Sequence, residues 1–388
     1  MTANAISDLI LTLNPGSSSL RCAMVDAAGT HRWSAKFDRL GKRDAQLEVT
    51  GQQPRSVSAA DPSACLPIIA ELLDRSGPGI PRAVAHRVVH GGPRHFDPVA
   101  VTPELITELR AIESFAPNHL PGAIALLGSA LARWPGTPQV ACFDTAFHRH
   151  LPTAARLLPL PRRFDAAGIH RYGFHGLAFS SVLSALRSRG PLPRRLILAH
   201  LGHGASLAAV LDGQSVDTTM GFTPASGLVM STRAGDLDAG LLGFVAAREK
   251  LDGSALERLV AHESGLLGLS ETSPDTRDLL GRENSDPRAA EALAVYVHQA
   301  RKFIGAFVAV LGGLDALVFS GGVGENSAVL RARLCAGFDY LGLKIDAAAN
   351  EANAPELSPP GARVAVLVVA ADEERALSDA ARPVLPKA

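Results

Sequence analysis

Cysteine is scarce and scattered in this chain of 388 residues: four in all, Cys22, Cys65, Cys142 and Cys335, with no CxxC pair. That spacing supplies no disulfide framework and fits a reducing compartment. An excess of one charge is also missing. Lys plus Arg and Asp plus Glu number 38 each, so nothing electrostatic points to nucleic acid or an anionic membrane as a partner. No apolar run reaches membrane-spanning length, and Met1 to Asp8 has no basic start ahead of an apolar stretch. Neither insertion nor export is expected, and the expected location is cytoplasmic. The signatures GxxxxGK[ST], GxGxxG and HExxH are all absent, which excludes a P-loop protein, a Rossmann dinucleotide site and the zincin arrangement. No low-complexity tract occurs.

What is present reads as globular α/β. Hydrophobic residues make up 47% and charged residues 20%, and the length exceeds what one core usually supports, so two domains are expected. The chain also writes one pattern twice. Leu9 to Asp26 reads LILTLNPGSSSLRCAMVD, and Leu196 to Gly213 reads LILAHLGHGASLAAVLDG. Laying Ser19-Leu20 on Ser206-Leu207 superposes the leading Leu-Ile-Leu triplets without a gap. Each copy predicts a β-hairpin with a small, polar tip whose backbone N–H groups and hydroxyls could close on an anion. Two such hairpins suggest two related lobes, each offering a phosphate-sized loop to a cleft between them.

Elsewhere short apolar strands alternate with helical segments. Residues 83–89 and 139–143 read as buried strands with polar residues at their ends, and residues 289–311 as a long helix. A strand at 314–319 leads into Ser320-Gly-Gly-Val-Gly324, which reads as a glycine loop opening a helix after Asn326. Residues 41–62 read as a polar surface excursion, and Pro and Arg crowd 152–163 and 188–195 as connections.

Arg87, Arg171 and Arg233 stand on short polar segments beside glycines, where a guanidinium fork can reach phosphate or carboxylate or else pin a loop. Asp144 and Glu373 each follow a strand, the position at which α/β folds place metal and catalytic acids. The pairs His86/His90 and His148/His150 invite a metal reading, but no His/Cys set accompanies them. A hydrogen-bonding role for His119 and His175 near anionic chemistry fits better.

Together these motifs resemble the acetate kinase family, the acetate and propionate kinases of the sugar-kinase/Hsp70/actin superfamily. The resemblance runs from Leu13-Asn-Pro-Gly-Ser-Ser-Ser19 to Asp372-Glu-Glu374. Between them lie HRVVHGG (86–92), FDTAFH (143–148), RYGFHG (171–176), MGFTP (220–224), STRAGDLD (231–238), SGLLGLS (264–270) and SGGVGENS (320–327). It implies two duplicated RNase H-like lobes around a nucleotide cleft: residues 1–150, with the tail from about 373 to 388 packing back on them, and residues 151–372. It implies acetate kinase activity, the reversible transfer of phosphoryl between ATP and acetate, with Mg²⁺ (or Mn²⁺ in its place) and a homodimer.

The resemblance also assigns roles by position. Asn14, Ser17 and Ser19 match a first phosphate loop, followed by Arg21, with Asn14 and Glu373 on the metal side. Arg87 and Arg233 match the arginines that hold the carboxylate and the transferring group, and His175 the histidine that stabilises the transition state. Asp144 matches an active-site acid, and His119 a further histidine. Val89, Asn118, Phe174 and Pro224 match the acyl pocket. His200, Leu201, Gly202, His203 and Gly204, then Asp275, Thr276 and Arg277, then Gly321, Gly322, Val323, Gly324, Glu325 and Asn326, match the nucleotide segments. An acetate oxygen is ionised at neutral pH, so in-line placement and cations matter more than a strong base. Orientation is therefore the expected work of Asp144.

Departures from the pattern concern specificity. Arg21 replaces the usual lysine, His203 an asparagine, Phe179 a histidine, and Ala239 a proline. Asn118 replaces a leucine of the acyl pocket, so propionate or another short, polar carboxylate is the competing acceptor. A nucleotide-gated binding module of the same fold is the alternative from another class, and the set Arg87, Arg233, His175 and Asp144 argues against it.

Overall fold

The computed structural model describes residues 8–16, 18–75 and 78–386. The chain divides into two compact units. The first comprises Met1–Ala146, Gly176–Ser181 and Asp372–Ala388, and the second Phe147–His175 and Val182–Ala371.

The first unit is built on an eight-stranded sheet. Its strands are β1 (Ile10–Pro15), β2 (Leu20–Val25), β3 (His31–Asp38), β4 (Gln46–Val49), β5 (Arg55–Ser56), β6 (Ala83–Val88), β7 (Val99–Ala100) and β8 (Gln139–Phe143), in the order β5-β4-β3-β2-β1-β6-β8-β7. The second unit holds β9 (Arg195–Leu201), β10 (Ala205–Leu211), β11 (Gln214–Thr218), β12 (Ala316–Ser320) and β13 (Ala365–Val368), in the order β11-β10-β9-β12-β13. The five central strands of the first sheet repeat the second. In each, a leading strand pairs antiparallel with its hairpin partner and parallel with a later strand, which pairs parallel with the next. This is the duplicated α/β lobe expected from the sequence.

Both predicted hairpins are present, with one correction. Ile10 pairs with Val25, whereas Ile197 pairs with Ala209, so with the leading strands superposed the second tip is three residues shorter. The gapless overlay therefore holds for the leading strands alone. Residues 41–62 also differ from expectation. They supply β4 and β5, and Ala45 and Leu47 are fully buried. Leu47 sits opposite Phe37 on the neighbouring strand, and burying an apolar pair of this size contributes a few kcal/mol, about 1.5–3 per side chain.

Helices cover both faces of the first sheet. Leu11, Leu13, Leu20, Cys22 and Met24 pack with Leu66, Ile69, Ala70 and Leu73 of helix Leu66–Arg75. Ile10, Ala83, Ala85 and Val140 pack with Ala376, Leu377 and Ala381 of helix Glu373–Ala381, which brings the acids at its first turn to the ends of β1 and β6. The predicted long helix is Pro287–Leu311. Asp286 caps it by accepting from Arg288 N–H, proline occupies its first turn, and Gly312 ends it with φ 66°. All four cysteines are buried and unbridged. No helix among the described residues is long and apolar enough to cross a membrane.

Candidate active site

In the first unit, β1, β6, β8 and the first turn of helix Glu373–Ala381 deliver five polar side chains to one place. Arg87 donates from Nε (2.8 Å) and Nη2 (2.5 Å) to Asp144 Oδ2, and from Nη1 to Asn14 Oδ1 (3.2 Å) and the Pro15 carbonyl (3.4 Å). Asn14 Nδ2 in turn donates to Glu373 Oε2 (2.9 Å) and Glu374 Oε1 (3.1 Å). Asp144 is 1% exposed, against 17% for the Arg87 side chain. Asp144 thus lies deeper than Arg87 and holds its guanidinium. Burial alone would lower the Arg87 pKa, but Asp144, Glu373 and Glu374 together raise it, so the guanidinium is always charged. Burial pushes the Asp144 carboxyl upward against the pull of Arg87. Burial and the neighbouring Glu373 push Glu374 upward as well. Sequence reasoning singled out Glu373 and missed Glu374. Adjacent acids at a helix start diverge by about 100° around the axis, and the local pattern does not say which one faces inward.

Asn14, expected as a metal ligand, has its amide engaged on both sides, so here it orients the two carboxylates. Arg21 stands opposite Asn14 in the β1–β2 register. In the hairpin tip, Ser19 O accepts from Gly16 N–H (2.9 Å); Ser17 lies outside the described residues. Val89 is buried, Asn118 is exposed, and His119 is half-buried at the start of helix Leu120–Arg133.

In the second unit, the segment carrying Phe174 and His175 ends in a left-handed turn at His175, φ 59° and ψ 25°. His175 Nδ1 is 2.9 Å from Ser206 Oγ on β10, and its ring lies 4.8 Å from that of His200. His200 Nδ1 is 3.2 Å from Ser320 Oγ. Arg233 Nη1 donates to the Pro224 carbonyl (3.1 Å). A methyl on Gly204 would lie 3.3 Å from His175 Nε2 and 3.4 Å from Arg233 Nη1, so these two nitrogens converge over the tip of the second hairpin. Ser206 and Ser320, which brace the histidines, were missed as functional residues although both lie inside motifs already singled out.

A separate cleft of about 790 Å³ is lined by Gly202, His203, Asp275, Thr276, Arg277, Gly322, Val323 and Asn326. Ser231, inside the STRAGDLD motif, and Glu351 and Asn353 also line it, and none of the three was an expected site residue. Burial, and then Arg233, lower the His203 pKa, while Asp275 opposes them. Arg277 is fastened to Asp275, Nη2 to Oδ2 at 2.6 Å. Leu201 and Gly324, expected on the nucleotide segments, are buried.

The predicted glycine loop is itself a helical turn, Gly321–Asn326. Glu325 accepts from Gly321 N–H (2.8 Å) and Ala371 N–H (3.2 Å), so its carboxylate closes the turn. A fully buried guanidinium, Arg331, holds the other end. It donates to the Gly324 and Glu325 carbonyls, to Asn350 Oδ1 and O, and to Asn353 Oδ1, at 2.6–3.0 Å. Arg171, read as a possible ligand for an anion, also serves the backbone. It donates to the carbonyls of Ala155, Thr218, Thr219 and Met220, and so pins the segment ahead of His175. Among the described residues no group of three or more His, Cys, Asp or Glu side chains is placed to hold a metal ion by itself.

Residues 9–379 match the acetokinase family. The chain belongs to that family. A propionate kinase of Citrobacter rodentium is 39% identical over 386 residues, 95% of each chain. An acetate kinase of Rhodopseudomonas palustris is 37% identical over 388 residues, covering 95% of this chain and 96% of that one. The crystal structure of Porphyromonas gingivalis acetate kinase superposes with a TM-score of 0.87 at 32% identity, over 98% of this chain and 100% of that one. Membership places the chain among the kinases, as a phosphotransferase of the acetate and propionate kinase family.

Proposed function

We propose that the protein transfers the γ-phosphoryl group of ATP to acetate, reversibly, giving acetyl phosphate and ADP. A carboxylate oxygen forms the new bond to phosphorus as the bond to the ADP oxygen breaks, and no proton has to move. The reaction therefore asks for placement and charge rather than a base. The observation that carries the reading is the convergence of Arg233 Nη1 and His175 Nε2 over Gly204, which supports a site for the equatorial oxygens of a phosphoryl group. Arg87, held by Asp144 and Asn14, is suited to a carboxylate or phosphoryl oxygen. Val89, Phe174 and Pro224 are assigned to the acyl group, and the Gly202–Arg277–Asn326 cleft to the nucleotide.

Magnesium fits the first unit's donors. Glu373 and Glu374 offer hard carboxylate oxygens, already oriented by Asn14, and this ion needs few protein ligands because it keeps waters and takes phosphate oxygens. Bound there, it would supply charge neutralisation on the phosphates.

Acetate and propionate are both acceptors named among the relatives, and Asn118 favours a second reading. It is exposed and polar at a place assigned to the acyl wall, which supports a short acid bearing a polar substituent. A homodimer is part of the proposal. Helix Ala239–Glu249 buries none of its residues, and Leu241 and Phe244 stand 45% and 61% exposed, which supports an apolar face that a second copy would cover. A hydroxamate assay with ATP, magnesium and acetate, propionate, butyrate, glycolate or lactate tests the function. Acyl phosphate from acetate or propionate, lost in Arg87→Ala and Arg233→Ala, is expected. No acyl phosphate from any acid would refute it, and preference for glycolate or lactate would move the assignment to the second reading.

A further inference from the structure

We infer that His148 is a positioning residue for His175, acting through the carbonyl of Phe174. The side chain is 2% exposed and ends the short turn Ala146–His148. Its Nε2 is 3.1 Å from Phe174 O, and its Nδ1 is 2.7 Å from Ser215 Oγ. A carbonyl only accepts, so Nε2 carries the proton. Nδ1 is then the acceptor, and Ser215 donates to it. Both ring nitrogens are committed, and the tautomer is fixed by its partners.

The backbone that this ring holds is unusual. Gly173 passes so close that a Cβ there would lie 2.5 Å from His148 Cδ2 and 2.7 Å from Thr218 Cγ2, at φ 72°. Two residues later His175, which is not glycine, also takes a left-handed conformation. Such a residue persists there only where its surroundings over-determine it. The surroundings are on view. Arg171 fastens the start of the segment to the Thr218 and Thr219 carbonyls, His148 fastens the peptide immediately before His175, and Ser206 fastens the imidazole itself. Removing the middle clamp takes one partner from Ser215 of β11 and frees the peptide that aims Nε2 at Gly204. Burial also holds the His148 pKa down, to about 4, with Arg171 the charged group facing it. The ring stays neutral and its hydrogen bonds unchanged through the neutral range.

The inference rests on the phosphotransfer reading, in which His175 meets the transferring group. The test is steady-state kinetics of His148→Gln, His148→Leu and Ser215→Ala beside His175→Ala, with thermal melting of each. Gln keeps an N–H near the position of Nε2, and Leu does not. His148→Leu is expected to lower kcat about 100-fold with both KM values within about threefold, because misplacing a reacting group costs rate rather than binding. His148→Gln is expected to recover most of that loss, to within about tenfold of wild type. Equal loss in the Gln and Leu variants, tracking their melting temperatures, would overturn the inference in favour of a packing role. So would an unchanged kcat in His148→Leu. Should that variant fail to fold, Ser215→Ala decides: a kcat drop of about fivefold at unchanged melting supports positioning, and none refutes it. A wild type without kinase activity, or a fully active His175→Ala, would instead refute the phosphotransfer role of His175.

Discussion

Gly204→Ala is the smallest change that reaches the heart of the proposed site. Gly204 does not have a positive φ, so alanine fits its backbone, and the loss of unfolded-state freedom would if anything stabilise by about 0.4–1 kcal/mol. The three heavy atoms nearest the new methyl are His175 Nε2 at 3.3 Å, His175 Cε1 at 3.4 Å and Arg233 Nη1 at 3.4 Å. These contacts are tight enough that both side-chain tips must yield by a few tenths of an ångström, and the methyl fills the space on which they converge. Misplacement by about 1 Å can slow a reaction 100-fold. Two groups displaced by less, with the pocket between them narrowed, should lower kcat by about 10- to 100-fold, or about 1.4–2.8 kcal/mol. Hydroxamate kinetics and a urea melt on the same preparation separate activity from stability. Gly128→Ala is the control, because Gly128 lies in the helix Leu120–Arg133 with nothing within 4 Å of its added Cβ. It should keep full activity and gain up to about 1 kcal/mol. A Gly204→Ala enzyme with kcat within twofold of wild type would refute the convergence argument and, with it, the observation on which the proposed function stands.

Asp144→Asn leaves the shape of the site but removes the charge behind Arg87. It should lower kcat/KM by at least about 100-fold while ADP affinity by calorimetry changes less than about threefold, since truncating one side of a buried ion pair leaves the other unpaired; equal losses in both would place its effect in the fold. Arg331→Met strips five hydrogen bonds from buried and part-buried carbonyls and amides and should cost about 3–5 kcal/mol in urea unfolding. Arg331→Lys should fall between, and a loss under about 1 kcal/mol would show that water takes over these bonds. His86 and His148 are buried, and burial lowers each pKa to about 4. The unfolded chain binds their protons first, so stability is complete above pH 6.5 and falls as pH drops toward about 4, by roughly 3 kcal/mol per histidine at the limit. Urea midpoints at pH 7 and pH 5 measure the fall, and His86→Gln should shrink it; an unchanged pH dependence in that variant would remove His86 from the account.

The parts of the fold that were legible are those whose signal is local. β9 and β12 carry the apolar runs Leu196–Ala199 and Ala316–Phe319, each followed by a polar residue, and Pro287–Leu311 carries its own start and stop. The parts that were not legible depend on distant partners. Gln46–Val49 is too short to show a period, and Leu47 is buried only because Phe37 lies opposite it. Gly321–Asn326 has three glycines in six residues, each about 1 kcal/mol worse than alanine in a helix. It is helical because Glu325 and Arg331 secure its two ends. Arg171 is the same lesson for a side chain. A guanidinium beside glycines suits an anion, and only the carbonyls 47 to 49 residues ahead decide otherwise. His148 was paired with His150 as a metal candidate, yet one is buried and the other exposed, a distinction that spacing does not carry.

The duplication itself argues about function, because the two copies keep one scaffold and opposite chemistries. At the strand ends of the first unit, Asp144, Glu373 and Glu374 surround Arg87, giving three acids to one base. Burial pushes both Asp144 and Glu374 upward in pKa, against the pull of Arg87 on the first and of the Asn14 amide on the second. At the second hairpin the groups are Arg233, His175 and His200, braced by the hydroxyls Ser206 and Ser320, a set rich in donors and poor in acids. Carboxylates perturbed in this way mark a candidate functional site, and a divalent cation with a phosphate-bearing substrate would suit this one. On the proposed function, the first set is suited to a divalent cation and a carboxylate, and the second to phosphoryl oxygens.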